Sequence, residues 1–308
     1  MMNRVWSFEF LNVLKCIIHY ESRIMKIGKF QIDTIETGRF GLDGGAMFGV
    51  VPKNLWSKAY NGGDEQNRIP MAARCLLIQF DDKKILVDTG NGEKFPEKLA
   101  KIYGIDNSLY TLEKSLLKAG VNSDDITDVI LTHLHFDHTG GSTKIENGDL
   151  VPTFKNARYY VQKDHYEWAQ NPTEKDRASF LKENWEPLFR NGMVELLQGE
   201  GEIFSGISVL LANGHTKALQ MVKISDGGQT LLFPADLMPT SAHIPVPYGM
   251  GYDNFPLTTI EEKKKLLPQI AEEKWLLCFE HDAFTQAAYV QQTEKGFLKG
   301  EVVEITKY

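Results

Sequence analysis

The sequence predicts an α+β fold, and two observations carry the prediction. Strand-like apolar runs alternate with helical segments through two successive halves, and no low-complexity linker or internal repeat separates those halves. The first half also contains the run His133-Leu134-His135-Phe136-Asp137-His138, where a short apolar strand breaks into a loop. A chain of 308 residues has ample length for a large core, as one big domain or two.

The elements follow in order. Residues 11–18 are apolar but interrupted by Lys15, are too short to span a bilayer, and have no small-residue cleavage site after them. Met25 offers a plausible start, so residues 1–24 are expected to be a misassigned or dispensable leader, with a peripheral membrane helix as the alternative, and residues 25–308 the working domain. Residues 27–37 alternate apolar and polar, which predicts a strand. Residues 38–73 read as a long irregular stretch holding Met47, Phe48, Val50, Val51, Leu55 and Trp56. Such a stretch is either functional or a loop over a sheet edge. Residues 75–80 and 84–87 read as a hairpin around Asp81-Asp82.

Helices are expected over residues 94–103 and 111–119. In the second, Leu112, Leu116 and Leu117 should share a face, and Gly120 should end it. Ser123-Asp124-Asp125 introduces the strand 128–131 that leads into the histidine run. A strand over 158–161 precedes helices over 164–170 and 174–190, the latter ending near Gly192. Strands are expected at 194–197, 207–211, 220–225 and 230–233. A helix over 258–274 should begin near Thr258-Thr259, with Glu261-Glu262 in its first turn, and a strand over 275–280 closes the series.

Composition excludes some classes. Charged residues are 24%, hydrophobic residues 42%, and the formal charge is −7, with no basic stripe to meet a phosphate backbone; nucleic acid is not an expected partner. No apolar run is long enough for stable membrane insertion. Cys16, Cys75 and Cys278 are odd in number, far apart and form no CxxC pair. They read as small buried hydrophobes in a reducing, cytoplasmic chain.

The chemistry sits in the histidine run. Three of the chain's eight histidines fall within six positions around an aspartate. Imidazole and carboxylate are the ligands that zinc and similar borderline metals take. Further along, Asp88-Thr89-Gly90, Gly214-His215-Thr216, Asp236 and His281 each follow a strand-like run. In this order the five motifs resemble those of the metallo-β-lactamase superfamily, from about residue 26 to the C-terminus. The resemblance implies an αββα sandwich, two mixed β-sheets face to face with helices outside.

The resemblance also implies a ligand set: His133, His135 and His215 on one metal, Asp137, His138 and His281 on a second, and Asp236 bridging both. The cofactors would be two divalent ions, zinc first, with manganese, iron or cobalt as alternatives. Two ions roughly 3.5–4 Å apart can share a hydroxide and bring its pKa toward ~7. Asp137 would be both ligand and proton acceptor. Asp88 would accept a hydrogen bond from a ligating imidazole. His243, seven residues past Asp236, is a candidate to hydrogen-bond substrate or shuttle a proton, and equally a structural loop histidine; His165 is expected to be solvated or packed.

Residues 43–52 look like the N-terminal loop of lactonase-like and organophosphate-hydrolase-like members. Lys217-Ala218-Leu219 differs from the Pro-Gly-His of glyoxalase II-type thioesterases, and Leu237-Met238-Pro239 lacks the tyrosine of typical acyl-homoserine lactonases. His135 stands where flavodiiron proteins carry a glutamate, which favours hydrolysis over redox chemistry. The function expected is hydrolysis of a small ester or lactone by a metal-bridged hydroxide, with Met47, Phe48, Trp56 and Phe136 as pocket walls. The alternatives are a phosphotriester, phosphodiester or thioester hydrolase, and a metal-bound sensor without turnover.

Overall fold

A computed structural model describes residues 25–307. The expected leader, residues 1–24, and Cys16 within it lie outside the described residues. The first half forms β1 (Met25–Ile27), β2 (Phe30–Asp43), β3 (Arg68–Phe80), β4 (Lys83–Val87), β5 (Asp128–Ile130), the separate hairpin β6 (Thr143–Glu146) and β7 (Asp149–Pro152), then β8 (Arg158–Gln162) and β9 (Val194–Leu197). Apart from the hairpin these make one seven-stranded sheet in the order β1-β2-β3-β4-β5-β8-β9. The second half forms β10 (Gly201–Phe204), β11 (Ile207–Ala212), β12 (Leu219–Asp226), β13 (Gln229–Phe233), β14 (Leu276–Cys278), β15 (Ala287–Thr293) and β16 (Gly296–Val303), a second seven-stranded sheet in sequence order. Both are mixed, as the sandwich requires.

Strand periodicity explains the layering. Along β3 and β4, Leu76, Ile78, Ile85 and Val87 face Val209, Val222, Phe233 and Leu277 of the other sheet. Their neighbours Cys75, Leu77 and Leu86 face outward to a second cluster with Leu112, Leu116, Trp185 and Leu188. A strand buried on both faces is apolar throughout, which is why Leu76-Leu77-Ile78 shows no alternation.

Eight α-helices complete the described residues: α1 (Gly44–Phe48), α2 (Lys53–Ala59), α3 (Glu97–Ile102), α4 (Leu112–Lys118), α5 (Phe136–Thr139), α6 (Lys163–Gln170), α7 (Glu186–Arg190) and α8 (Pro256–Glu272). None is long and apolar enough to cross a membrane.

Several expectations are corrected. Residues 38–73 are not irregular: β2 runs on to Asp43 past a bulge between Glu36 and Arg39, α1 and α2 follow, and β3 begins at Arg68. The alternation expected from residue 27 is split by a turn at Gly28, whose φ is 53°. Leu117 is 53% exposed; the buried face of α4 is Leu112, Ser115 and Leu116, because a residue five positions on points well away. Residues 174–190 break into two 3-10 turns and α7, with extended Phe180 and Leu181 between. Helix α8 begins at Pro256, where proline suits the first turn, and no side chain caps it. Thr259 and Glu262 turn instead to Asp253 and to the amides of Asn213 and Gly214. Strands β6, β7, β10, β15 and β16 were not anticipated.

The topology gathers the motifs. β4, β5 and β8 are parallel, so the chain leaves β4 at Asp88 and β5 at His133 on the same edge. β13 and β14 are parallel as well, and bring Asp236 and His281 to one edge of their own sheet. Two buried polar ties join the sheets near there. Gln220 Nε2 donates to Leu131 O at 2.8 Å, and Gln162 Nε2 donates to Gln220 Oε1 at 3.0 Å. Arg74, ion-paired to Glu36 at 2.5 Å, donates to Phe279 O at 2.6 Å and Asp282 O at 2.9 Å.

Candidate metal centre

The histidine run bends out of β5 into the single turn α5, and that turn is held against the loop after β4. Thr89 N donates to His138 O at 2.7 Å, and Gly141 N donates to Gly90 O at 3.2 Å. The packing leaves no room for side chains: a Cβ on Gly140 would stand 1.9 Å from Asn91 O, and one on Gly141 2.3 Å from Thr89 O. Glycine at 140 and 141 is therefore a steric requirement of the close approach. Gly214 is constrained likewise, since its Cβ would meet Thr259 N at 2.4 Å. Asp236 follows Ala235, whose φ of 46° is unusual for alanine and marks backbone strain beside the site.

Among the described residues three groups of ligand atoms each lie within 4.8 Å: Asp88, His138 and Glu280 on the outer side of His138, and, at the centre, the two groups His133, His135, His215 and Asp236, and Asp137, His138 and His281. His135 Nδ1 lies 3.0 Å from His133 Nε2 and 3.2 Å from His215 Nε2. Asp236 stands between the groups, with Oδ2 3.2 Å from His215 Nε2 and Oδ1 3.2 Å from His281 Nε2. His281 Nε2 is 3.2 Å from His138 Nε2 and 3.7 Å from Asp137 Oδ2. All seven side chains are buried.

The outward nitrogens decide what the centre can hold. His215 Nδ1 donates to Asp253 Oδ1 at 3.2 Å, His281 Nδ1 to Ala72 O at 2.9 Å, and His138 Nδ1 to Asp88 Oδ2 at 3.1 Å. Those acceptors take the ring protons, so the Nε2 atoms turn lone pairs inward. Lone pairs facing each other at about 3 Å repel unless a cation sits among them, and Asp236 Oδ1 is buried without a hydrogen-bond partner. The donor set fits divalent metal ions.

In the metal-free centre the buried carboxylates draw protons onto His138 and His281, charge that bound cations would replace. Burial, then the neighbouring imidazoles, hold His133 and His135 well below the usual histidine range. Burial also pulls His138 and His281 down, but carboxylates outweigh it, Glu280, Asp236 and Asp137 at His138, Asp236 and Glu280 at His281; His138 is held well above its ordinary value and His281 at about 9. Burial would raise Asp236, yet His138, His281 and His215 keep it well below the carboxylate range. The buried acids thus call for positive charge.

A cavity of about 180 Å³, open to solvent, lies over the centre; His135, Asp137, His215, Asp236 and His281 form its floor, and Leu42, Met47, Phe136, Tyr103, Met250 and Tyr252 are among its walls. Met47 and Phe136 stand where expected. Phe48 and Trp56 do not: they are buried behind Met47, in a stack whose third ring is His243, with centroids 5.4 and 4.6 Å apart. Of the two readings of His243, the geometry fits the structural loop histidine. Its Nε2 donates to Met47 O at 2.8 Å and its Nδ1 meets Thr240 Oγ1 at 2.8 Å, so neither nitrogen is free, and it does not line the cavity.

Two neighbours, Asp253 and Glu280, carry no signal in the sequence, and His165 takes the packed one of its two expected states. Asp253 holds His215. Glu280 is buried with Oε2 2.9 Å from His138 Nδ1, beside the hydrogen bond that Asp88 takes. His165 is packed, not solvated: Nδ1 donates to Lys217 O at 2.7 Å and Nε2 accepts from Leu134 N at 2.8 Å, which ties the loops carrying His133 and His215. Cys75 and Cys278 are buried free thiols.

The sequence profile of the metallo-beta-lactamase superfamily matches residues 68–281. The N-acyl homoserine lactonase AiiA of Bacillus thuringiensis subsp. kurstaki is 27% identical over 224 residues, 68% of this chain and 80% of that protein. The N-acyl homoserine lactonase AiiB of Agrobacterium fabrum is 29% identical over 166 residues, 49% of this chain and 56% of its own. Among solved structures, a probable metal-dependent hydrolase from Staphylococcus aureus superposes with a TM-score of 0.80 at 28% identity, covering 91% of this chain and all (100%) of the other. The dizinc quorum-quenching lactonase AidC shares the fold, with a TM-score of 0.73 at 24% identity over 90% of this chain and 96% of its own.

Proposed function

Because the chain belongs to the metallo-beta-lactamase superfamily and is a metal-dependent hydrolase of it, we propose that it hydrolyses a small ester or lactone at a dinuclear centre. One observation carries this reading: two sets of buried ligand atoms meet at Asp236, which belongs to the first and lies 3.2 Å from His281 of the second, at the floor of a cavity whose walls include Leu42, Met47, Phe136 and Met250. His133, His135 and His215 would hold one ion, and Asp137, His138 and His281 the other. A histidine-rich set with hard carboxylates suits zinc first. When bound, the pair supplies Lewis acidity toward the acyl oxygen and acidifies a water toward neutral pH.

The chain's own groups do the rest. Asp137, on the cavity floor, accepts the proton of the attacking water. Leu42, Met47, Met250 and Phe136 exclude solvent from the acyl group. The charged side chains in the cavity are Asp137, Asp176, Asp236 and Lys175, and Lys175 spends its ammonium on Asp253 O. A neutral ester or lactone suits that lining better than an anionic phosphodiester.

Elemental analysis of protein purified without chelator should find about two transition-metal ions per chain, zinc foremost. Lactones and simple esters should turn over faster than phosphoesters. Asp137→Asn should slow hydrolysis by about 10²–10⁴-fold, the usual worth of a positioned base. A metal-free protein with full activity, or an Asp137→Asn variant at normal rate, would refute the reading.

A further inference from the structure

Tyr103 and Tyr252 both line the cavity, each near Asp137, and neither hydroxyl is hydrogen-bonded to any described residue. They differ in how they are held. Tyr252 is 38% exposed, on a loop where water competes for its hydroxyl. Tyr103 is only partly exposed and its backbone is fixed on both sides. Its amide donates to Leu99 O at 3.0 Å at the end of α3, and its carbonyl accepts from Gly41 N of β2 at 2.7 Å. Gly104, at φ 56°, then turns the chain away. The Tyr103 ring packs on Phe136 with centroids 4.8 Å apart, and Phe136 is the residue next to Asp137.

A rigidly mounted phenol whose O–H meets no described residue, packed on Phe136 and lining the cavity that Asp137 also lines, is unlike a packing residue. Phenylalanine would fill the same space, and a hydroxyl in a ligand cavity adds to it by meeting a polar atom of a ligand. Burial first, and Asp137 second, push the Tyr103 phenol up, so it is a donor that keeps its proton across the working pH range.

The geometry points to Tyr103 as a catalytic hydrogen-bond donor to the oxygen that leaves the acyl carbon. The inference rests on the hydrolase reading above. In the reaction the water oxygen bonds to the acyl carbon and the carbon–oxygen bond of the ester breaks, its electron pair staying on the leaving oxygen. The proton given up by water to Asp137 passes to that oxygen. Tyr103 stabilises the charge gathering there through its O–H and loses no proton itself.

The role predicts a dependence on leaving group that a structural tyrosine would not have. Tyr103→Phe is compared with the wild type on one acyl group carrying a series of leaving groups, from 4-nitrophenoxide to simple alkoxides. Bound metal and melting temperature are recorded for both proteins. The kcat/KM of the variant should fall about 10²–10³-fold for alkoxide leaving groups, and hardly at all for 4-nitrophenoxide, which needs no help to depart. Metal content and melting temperature should match the wild type. Equal losses across the series, or none, overturn the role of Tyr103 while leaving the hydrolase reading intact. A wild type that cleaves no ester in the series overturns both.

Discussion

His165 shows how one side chain can hold a metal centre without touching metal. Its Nδ1–H is committed to Lys217 O, so Nε2 must accept from Leu134 N, and the two bonds join the loops of both halves. Burial lowers its pKa from the ordinary 6.5 to about 4, with the hydrogen bond to Lys217 opposing. The unfolded chain therefore binds a proton at a pH where the folded one does not. Stability from this group is complete above pH 6.5 and is lost as pH falls from 6.5 toward 4, on the order of 3 kcal/mol in all. Melting temperatures of metal-free protein from pH 7.5 to 4.5 should fall accordingly, and His165→Gln should flatten that dependence; an unchanged slope would remove His165 from this role. The sequence could not show it. A single histidine at a helix start has no pattern, and its partners lie 31 and 52 positions away. The histidine run was legible because three imidazoles and a carboxylate crowd one turn. Asp253 and Glu280 escaped for the same reason as His165: their meaning is made where the chain crosses itself.

Among elements, the strands bearing ligands were the readable ones, since apolar runs that stop at a polar motif announce both the strand and its end. The stretch 38–73 was not. Its glycines and polar residues look like loop composition, yet β2 and β3 extend through it, paired from Gln31↔Gln79 to Asp43↔Arg68. Cross-strand pairing, which no local window contains, decides such a case. The turn α5 makes the opposite point, because its position depends on two glycines visible in the sequence. Gly140→Ala places a methyl group against Asn91 O and must displace the backbone that carries His138. Thermal unfolding and metal analysis should show more than about 3 kcal/mol of destabilisation and loss of the ion at His138 and His281. Leu116→Ala, in the outer core, should cost about 2–5 kcal/mol with the metal ratio unchanged. If both variants keep full metal, the glycines are not what seats the turn.

At the scale of the molecule, each half of the chain builds one sheet. β1–β9 precede residue 198, and β10–β16 follow residue 200. The proposed ligands are divided in the same way: His133, His135, Asp137 and His138 come from the first half, and His215, Asp236 and His281 from the second. Each group of ligands thus spans both halves, and bound ions would work as a clasp between them. An ion at a thousand times its dissociation constant adds about 4 kcal/mol to the closed state. In the intact chain covalent continuity hides that contribution. Proteolytic nicking within residues 198–200 would expose it. The nicked protein should elute as one particle with metal and come apart on chelation, while the uncut chain survives the same treatment; nicked halves that stay together in chelator would show that apolar contact alone suffices. A clasp of this kind makes the folded lifetime of damaged protein answer to metal supply, so that starvation for the ion would clear cleaved copies before whole ones.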